Sequence, residues 1–282
     1  MNGPDGRDSR TVEAGEGRGG SPETTPRPAA TLERRGALGI LTLSDPGRRN
    51  PLSAQMRDDV LRLLDEAGRD NTVRVIVING AGGVFCAGGD VSTMGALTRE
   101  TGRARIERSQ VVARAIVQAS KPVIAAVEGW AAGAGLSLAA CCDIVVAAED
   151  ARFVAAFGKV GLMPDLGALW AVPARMGVGG ARRLLMMNDQ LTGREAFGLG
   201  LVDQVVPPGQ ALEGALREGA RLAEGPPLAL AAIKRVLAAY PQGLEQVLLA
   251  EADLQSGLFA SEDLHEGLEA YREKRPPRFE GR

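Results

Sequence analysis

Two glycine-rich stretches hold the residue types with the clearest chemical use. Gly83-Val84-Phe85-Cys86-Ala87-Gly88-Gly89-Asp90-Val91 leaves a β-rich segment, and Glu128-Gly129-Trp130-Ala131-Ala132-Gly133-Ala134-Gly135-Leu136 leaves another and opens a helix. Glycine serves where a backbone takes φ > 0 or lets a ligand approach its N–H groups closely. Two such turns on neighbouring strands can aim two amides at one point, which is how an oxyanion hole is built. A candidate base is Asp165, in the apolar run Leu162-Met163-Pro164-Asp165-Leu166-Gly167-Ala168-Leu169-Trp170. Desolvation there strengthens a carboxylate as a base. Pro-Asp ahead of a helix equally suits a turn and an N-cap.

Other chemistries fit the same residues less well. Gly133-Ala134-Gly135 begins like a dinucleotide fingerprint, but its third glycine falls at Leu138 and no acidic residue ends a second strand downstream. Neither stretch ends in the Gly-Lys-Ser/Thr of a phosphate loop. Gly135-Leu136-Ser137-Leu138-Ala139 is one residue short of a nucleophile elbow, and chain order allows a triad with Asp165 or Asp203 and His265, the only histidine. Against it, Ser137 lies inside the expected helix rather than at the turn, and His265 sits on a solvated helix.

The elements that must position these residues alternate. Residues 37–43, 73–79, 123–127, 143–147 and 201–206 read as strands, and helices are expected from near Ser53, over 102–119 and over 134–142, so the class is α/β with βαβ units. Helices over 168–176 and 179–187 follow, Thr192-Gly193-Arg194-Glu195 has capping-box spacing, and the pattern is helical from about 209. Residues 1–30 are rich in Gly, Pro, Ser, Thr and charge and bury too little to order, so a disordered tail is expected.

Composition narrows the partners. A net charge of −2, with two Trp, two Tyr and six Phe, gives no footprint for nucleic acid. No apolar run approaches the ~18 residues of a membrane span, and the N-terminus lacks a signal-type apolar region. Cys86, Cys141 and Cys142 lack metal-ligand or disulfide spacing and read as core residues in a reducing compartment. The reading is a cytoplasmic protein with no membrane partner and no metal.

Phe85-Cys86-Ala87-Gly88-Gly89-Asp90-Val91, Lys121-Pro122-Val123-Ile124-Ala125-Ala126-Val127-Glu128-Gly129, Cys142-Asp143-Ile144, Gly161-Leu162-Met163-Pro164-Asp165 and Glu273-Lys274-Arg275-Pro276-Pro277-Arg278-Phe279 together resemble the crotonase (enoyl-CoA hydratase/isomerase) superfamily over residues 32–282. The branch most similar in appearance is that of the 1,2-epoxyphenylacetyl-CoA and enoyl-CoA isomerases. The resemblance implies a ββα spiral core over 31–207 and a C-terminal helical region over 208–282 that covers the site and builds a homotrimer or dimer of trimers. It implies an acyl-CoA thioester as substrate, with no cofactor besides the CoA that the substrate carries. Matched by position, the amides of Gly89 and Ala134 would bind the thioester oxygen. Arg49, Pro51, Ala87, Gly88, Asp90, Val91, Gly133 and Lys274 would contact the CoA substrate, with Asp90 chiefly fixing its loop.

The two glutamates of the hydratases fall on Ser137 and Phe157, neither of which is a carboxylate. The expected activity is therefore acyl-CoA isomerisation with Asp165 carrying the proton. Hydration by non-standard groups, a serine hydrolase and a non-catalytic acyl-CoA-binding protein stay open.

Overall fold

A computed structural model of the protein describes residues 29–45, 47–95 and 97–282. The expected disordered tail falls, over residues 1–28, outside the described residues. Its last two residues are strand: β1 (Ala29–Arg35) pairs antiparallel with β2 (Leu38–Ser44), setting Ala30 opposite Leu43, and Ala30 is buried. The boundary is earlier than expected because this edge strand draws its order from its partner and not from its own composition.

β2 is followed by α1 (Ala54–Arg69), capped by the Ser53 side chain, and by β3 (Val75–Gly80). Then come α2 (Arg99–Val117), β4 (Val123–Val127), β5 (Trp130–Ala132), α3 (Ala134–Ala140), β6 (Ile144–Ala148) and β7 (Arg152–Val154). The second half holds α4 (Ala168–Met187), β8 (Gln190–Thr192), α5 (Gly193–Gly198), β9 (Gln204–Val206) and α6 (Ala211–Ala223). It closes with α7 (Pro227–Leu237), α8 (Leu244–Phe259) and α9 (Glu262–Glu273). α4 breaks at Gly177 (φ 74°), the junction of the two helices expected there, and α5 carries the expected capping box between Thr192 and Glu195.

The main sheet has the order β1-β2-β3-β4-β6-β9, parallel from β2 onward. Strands β2, β3, β4 and β6 are largely apolar on both faces because both are covered. Leu41, Leu43, Ile76 and Ile78 share one cluster with Met56 and Val60 of α1 and Val112 and Ile116 of α2. The opposite face buries Ile40, Val75, Val77, Ile124 and Val146 under Ala211, Ala215 and Leu216 of α6. α6 thus completes the core, although residue 208 was expected to open a separate helical region; without it one face of the sheet would be exposed. A second sheet, β5-β7-β8, was not anticipated, since three-residue strands have too little periodicity to show.

The C-terminal segments dock at one end of the parallel strands. Buried Lys234 of α7 donates to Asp143 Oδ2 (2.5 Å) just before β6 and to Lys121 O (3.1 Å) just before β4. Arg74, just before β3, donates to Phe279 O. These are the amino ends of the strands, so within one chain α7 and the C-terminal tail are not anchored over the glycine turns, against the expectation that this region covers them. Among the described residues no helix is long and apolar enough to cross a membrane.

Candidate active site

The glycine turns emerge at the carboxyl ends of β3 and β4, where parallel α/β sheets place their ligands. Beyond Gly80 the chain runs beside β5: Phe85 N–H donates to Glu128 O (2.8 Å), Cys86 N–H to Trp130 O (2.9 Å) and Ala132 N–H to Cys86 O (3.0 Å). The stitched segments end in the turns 88–89 and 133–134. Gly88 has φ 113°, and a methyl group added there would meet Ala132 O at 3.0 Å and the Ala134 nitrogen at 3.9 Å, so the turns face each other closely. Gly133 (φ 51°) caps α3 and gives its own N–H to Val154 O (2.9 Å). α3 can pack this near only because Gly135 has no side chain: a Cβ would stand 2.3 Å from Cys86 O. Among the described residues, neither the Gly89 nor the Ala134 N–H donates a hydrogen bond.

A third segment braces the first turn. Leu52 N–H donates to Gly88 O (2.7 Å) and Ala87 N–H to Arg49 O (3.0 Å), bringing Arg49 and Pro51 beside Ala87 and Gly88. Asn50, buried and left-handed, spends its side chain on Asp45 N–H, Ala81 O and Val84 O, so it holds the crossing of the two loops. Asp90 accepts from Arg48 (2.5 Å), from Ser92 N–H (3.2 Å) and from Ser92 Oγ (2.6 Å). The Arg48 bond, with the Ser92 bonds, outweighs burial and holds its carboxyl below the usual range. Val91 is exposed beside it. Lys274 stands apart: it ends α9 in a left-handed conformation, five residues before the Phe279 anchored at the opposite end of β3. One chain therefore brings together every residue of the expected CoA surface except Lys274.

Asp165 lies on a different segment, in the turn that leads into α4. Leu166 (φ 51°) and Gly167 (φ 80°) turn the chain sharply into α4, and Cys141 Sγ donates to Leu166 O (3.5 Å), seating the turn on α3. Asp165 O accepts from Ala168 N–H (3.0 Å), so the backbone turn exists. The residue capping α4 is Gly167, with no side-chain cap bond, so the alternative of an Asp165 N-cap fails. The half-buried Asp165 carboxyl is pushed up by desolvation, opposed by the charges of Arg105 and Arg57.

Ser137 and Phe157, the positions of the hydratase glutamates, are occupied otherwise. Ser137 is fully buried and donates to Gly133 O (3.3 Å), while the Phe157 ring reaches to 4.0 Å from where a Gly133 Cβ would be. The hydrolase triad is not assembled. His265 Nδ1 lies 3.0 Å from Ser261 O on its own helix, and the Asp203 carboxylate is engaged by Val145 N–H and Arg175. All three cysteines are buried thiols; burial pushes Cys86 up to about 11 and Cys141 up to about 12. Arg57 and Arg105 are the charged residues of this region that the motifs did not reveal.

Parallel strands wrapped by helices, with two glycine turns meeting at their carboxyl ends, define a crotonase-type protein. Residues 33–282 match the family model described as enoyl-CoA hydratase/isomerase, and the chain belongs to that family. It is 37% identical over 246 residues to a probable enoyl-CoA hydratase of Rhodobacter capsulatus, with 87% of this chain and 95% of that one covered. To the 1,2-epoxyphenylacetyl-CoA isomerase of Escherichia coli it is 36% identical, covering 86% of this chain and 94% of the relative. A crystal structure of an enoyl-CoA hydratase from Polaromonas sp. JS666 superposes with a TM-score of 0.85 at 38% identity, covering 89% of this chain and 99% of that one. Relatives of nearly equal similarity thus carry hydratase and isomerase names.

Proposed function

We propose that the protein isomerises an acyl-CoA thioester by moving one proton through an oxyanion-stabilised enolate. The observation that carries this reading is the composition of the site: two facing amides without an acceptor among the described residues, one desolvated carboxylate, and Ser137 and Phe157 where a hydratase has its glutamates. Gly89 and Ala134 N–H bind the thioester oxygen, each contributing about 3–4 kcal/mol as charge develops there. Asp165 takes a proton from C2 of a 3-enoyl thioester, the electrons move onto the oxygen, and the same carboxyl returns the proton at C4. The double bond thereby shifts into conjugation, with atoms and charge balanced. Arg49, Pro51, Ala87 and Val91 line the approach for the CoA moiety, and Lys274 belongs to it only if a neighbouring copy of an oligomer supplies that residue.

The names of several relatives favour a second reading, hydration of a 2-enoyl-CoA by groups other than paired glutamates. Ultraviolet absorbance separates the two. Purified protein with a 3-enoyl-CoA should generate the conjugated thioester, and Asp165→Asn should abolish it with CoA binding unchanged. Full turnover by Asp165→Asn would sink the single-carboxylate mechanism, and hydration of crotonyl-CoA without isomerisation would favour the second reading.

A further inference from the structure

Each of the two amides without an acceptor among the described residues shares a peptide unit with a carbonyl that is held from behind. In a planar trans peptide the C=O and the following N–H point in opposite directions, so fixing one aims the other. Both units here are trans. Gly88 O, on the unit that carries Gly89 N–H, accepts from Leu52 N–H (2.7 Å), and the buried Arg57 holds Leu52 O in turn through Nη1 (3.1 Å). Gly133 O, on the unit that carries Ala134 N–H, accepts from Ser137 N–H (3.1 Å) and also from Ser137 Oγ (3.3 Å). The brace on the first carbonyl is a main-chain group. The second carbonyl is braced by a side chain as well, and that side chain is fully buried.

Resting on the reading of Gly89 and Ala134 N–H as an oxyanion hole, we propose that Ser137 is a positioning residue for the reaction: its hydroxyl polarises the Gly133–Ala134 peptide and makes Ala134 N–H a stronger donor to the thioester oxygen. Hydrogen bonds in a chain polarise one another where the dielectric is low, each gaining about 10–30%. The chain here runs from Ser137 Oγ through the Gly133 carbonyl to the Ala134 amide and on to the bound oxygen. Pairing of the two loops sets where the amides stand, and Ser137 sets how strongly the second one donates. A hydroxyl can do this, whereas an ionised glutamate only accepts and has nothing to give a carbonyl. The residue that forfeits proton handling at position 137 reinforces the anion site instead.

A serine bonded to the carbonyl four residues earlier is also an ordinary way to satisfy a buried hydroxyl, and by itself it slightly destabilises a helix. The two roles differ in what loss of the hydroxyl changes. In Ser137→Ala, Gly133 O keeps its bond from the N–H of residue 137, so no buried acceptor is left bare and the variant should fold and melt close to wild type.

Butyryl-CoA labelled with ¹³C at C1 has no double bond to shift or hydrate, so its carbonyl stretch in an infrared difference spectrum reports the oxyanion hole alone. Bound to wild type, the stretch should fall below that of the free thioester. In Ser137→Ala the fall should shrink without vanishing, since Gly89 N–H still donates, and in Ser137→Cys, a weak donor of similar size, it should lie between. With a 3-enoyl-CoA, kcat of Ser137→Ala should drop about two- to sevenfold at little-changed KM, the loss of about 10–30% of one donor's contribution to the transition state. A bound stretch identical in wild type and both variants overturns the proposal, even if kcat falls. A stretch unshifted in wild type overturns it together with the oxyanion reading. The expected spectral series without turnover of 3-enoyl-CoA would instead overturn isomerisation and leave the role of Ser137 standing.

Discussion

The two ends of the parallel sheet treat their polar groups in opposite ways. At the amino ends nearly every charge is bonded: Asp143 accepts from Val123 N–H and Lys234, Asp203 from Val145 N–H and Arg175, and Lys121 donates to the two carbonyls that finish α1. At the carboxyl ends two amides donate to nothing among the described residues, and the carboxylate of Asp165 is desolvated. Buried donors and acceptors left without partners cost stability, so proteins seldom keep them idle. One end of the sheet holds the chain together; the other, in the proposed reading, is held ready for a ligand.

Substitutions can sharpen that contrast or break it. The largest effect expected is on Asp165→Asn, whose kcat should fall about 10²–10⁴-fold, the usual worth of a general acid–base group, as followed by the ultraviolet assay. At the other end, Lys234→Met removes a buried charged hydrogen bond and leaves Asp143, which is exposed and keeps its Val123 N–H, so it should destabilise the fold by roughly 1.5 kcal/mol, read by thermal melting, with kcat per folded molecule unchanged. Parallel losses of activity and stability in both variants would erase the distinction.

A smaller effect runs the other way. Because the folded Asp165 carboxyl is raised, its ionised form is disfavoured by folding, a penalty absent below the ordinary carboxylate range and complete above the folded value. Asp165→Asn should therefore melt slightly higher than wild type at neutral pH, with the gain vanishing on acidification. Smallest of all is Ala134→Gly: the donor is a backbone group, so kcat should change less than about fivefold, the cost of added backbone freedom. A larger drop would mean that the methyl group itself shapes the hole.

Much of this arrangement was legible in the chain. The strands β2, β3, β4 and β6, the helix start near Ser53, the Thr192 capping box and the break near Gly177 announce themselves through local pattern, because each is decided by residues within one turn or strand of itself. The glycine turns were visible for the same reason. What could not be read depends on distant partners: the strand character of Ala29 and Ala30, the small second sheet, and the placement of α6 in the core. Arg57 left one signal that was passed over. It shares the stripe of Val60 and Leu64, three and seven residues on, and a charge on a buried face calls for a reason. The docking of the C-terminal tail at the far end, through Phe279, could not be seen, since nothing local reports where a terminal segment docks.

The pairing of residues 85–86 with 128–132 has a consequence for inheritance. In the proposed reading both oxyanion donors are main-chain atoms on segments bonded to each other, so substituting the side chains around them leaves the spacing of the amides intact. Positions such as Ser137, Phe157 and Asp165 can change independently of that spacing. A lineage can therefore exchange one proton-handling group for another without rebuilding its anion site, and new reactions become reachable by single substitutions.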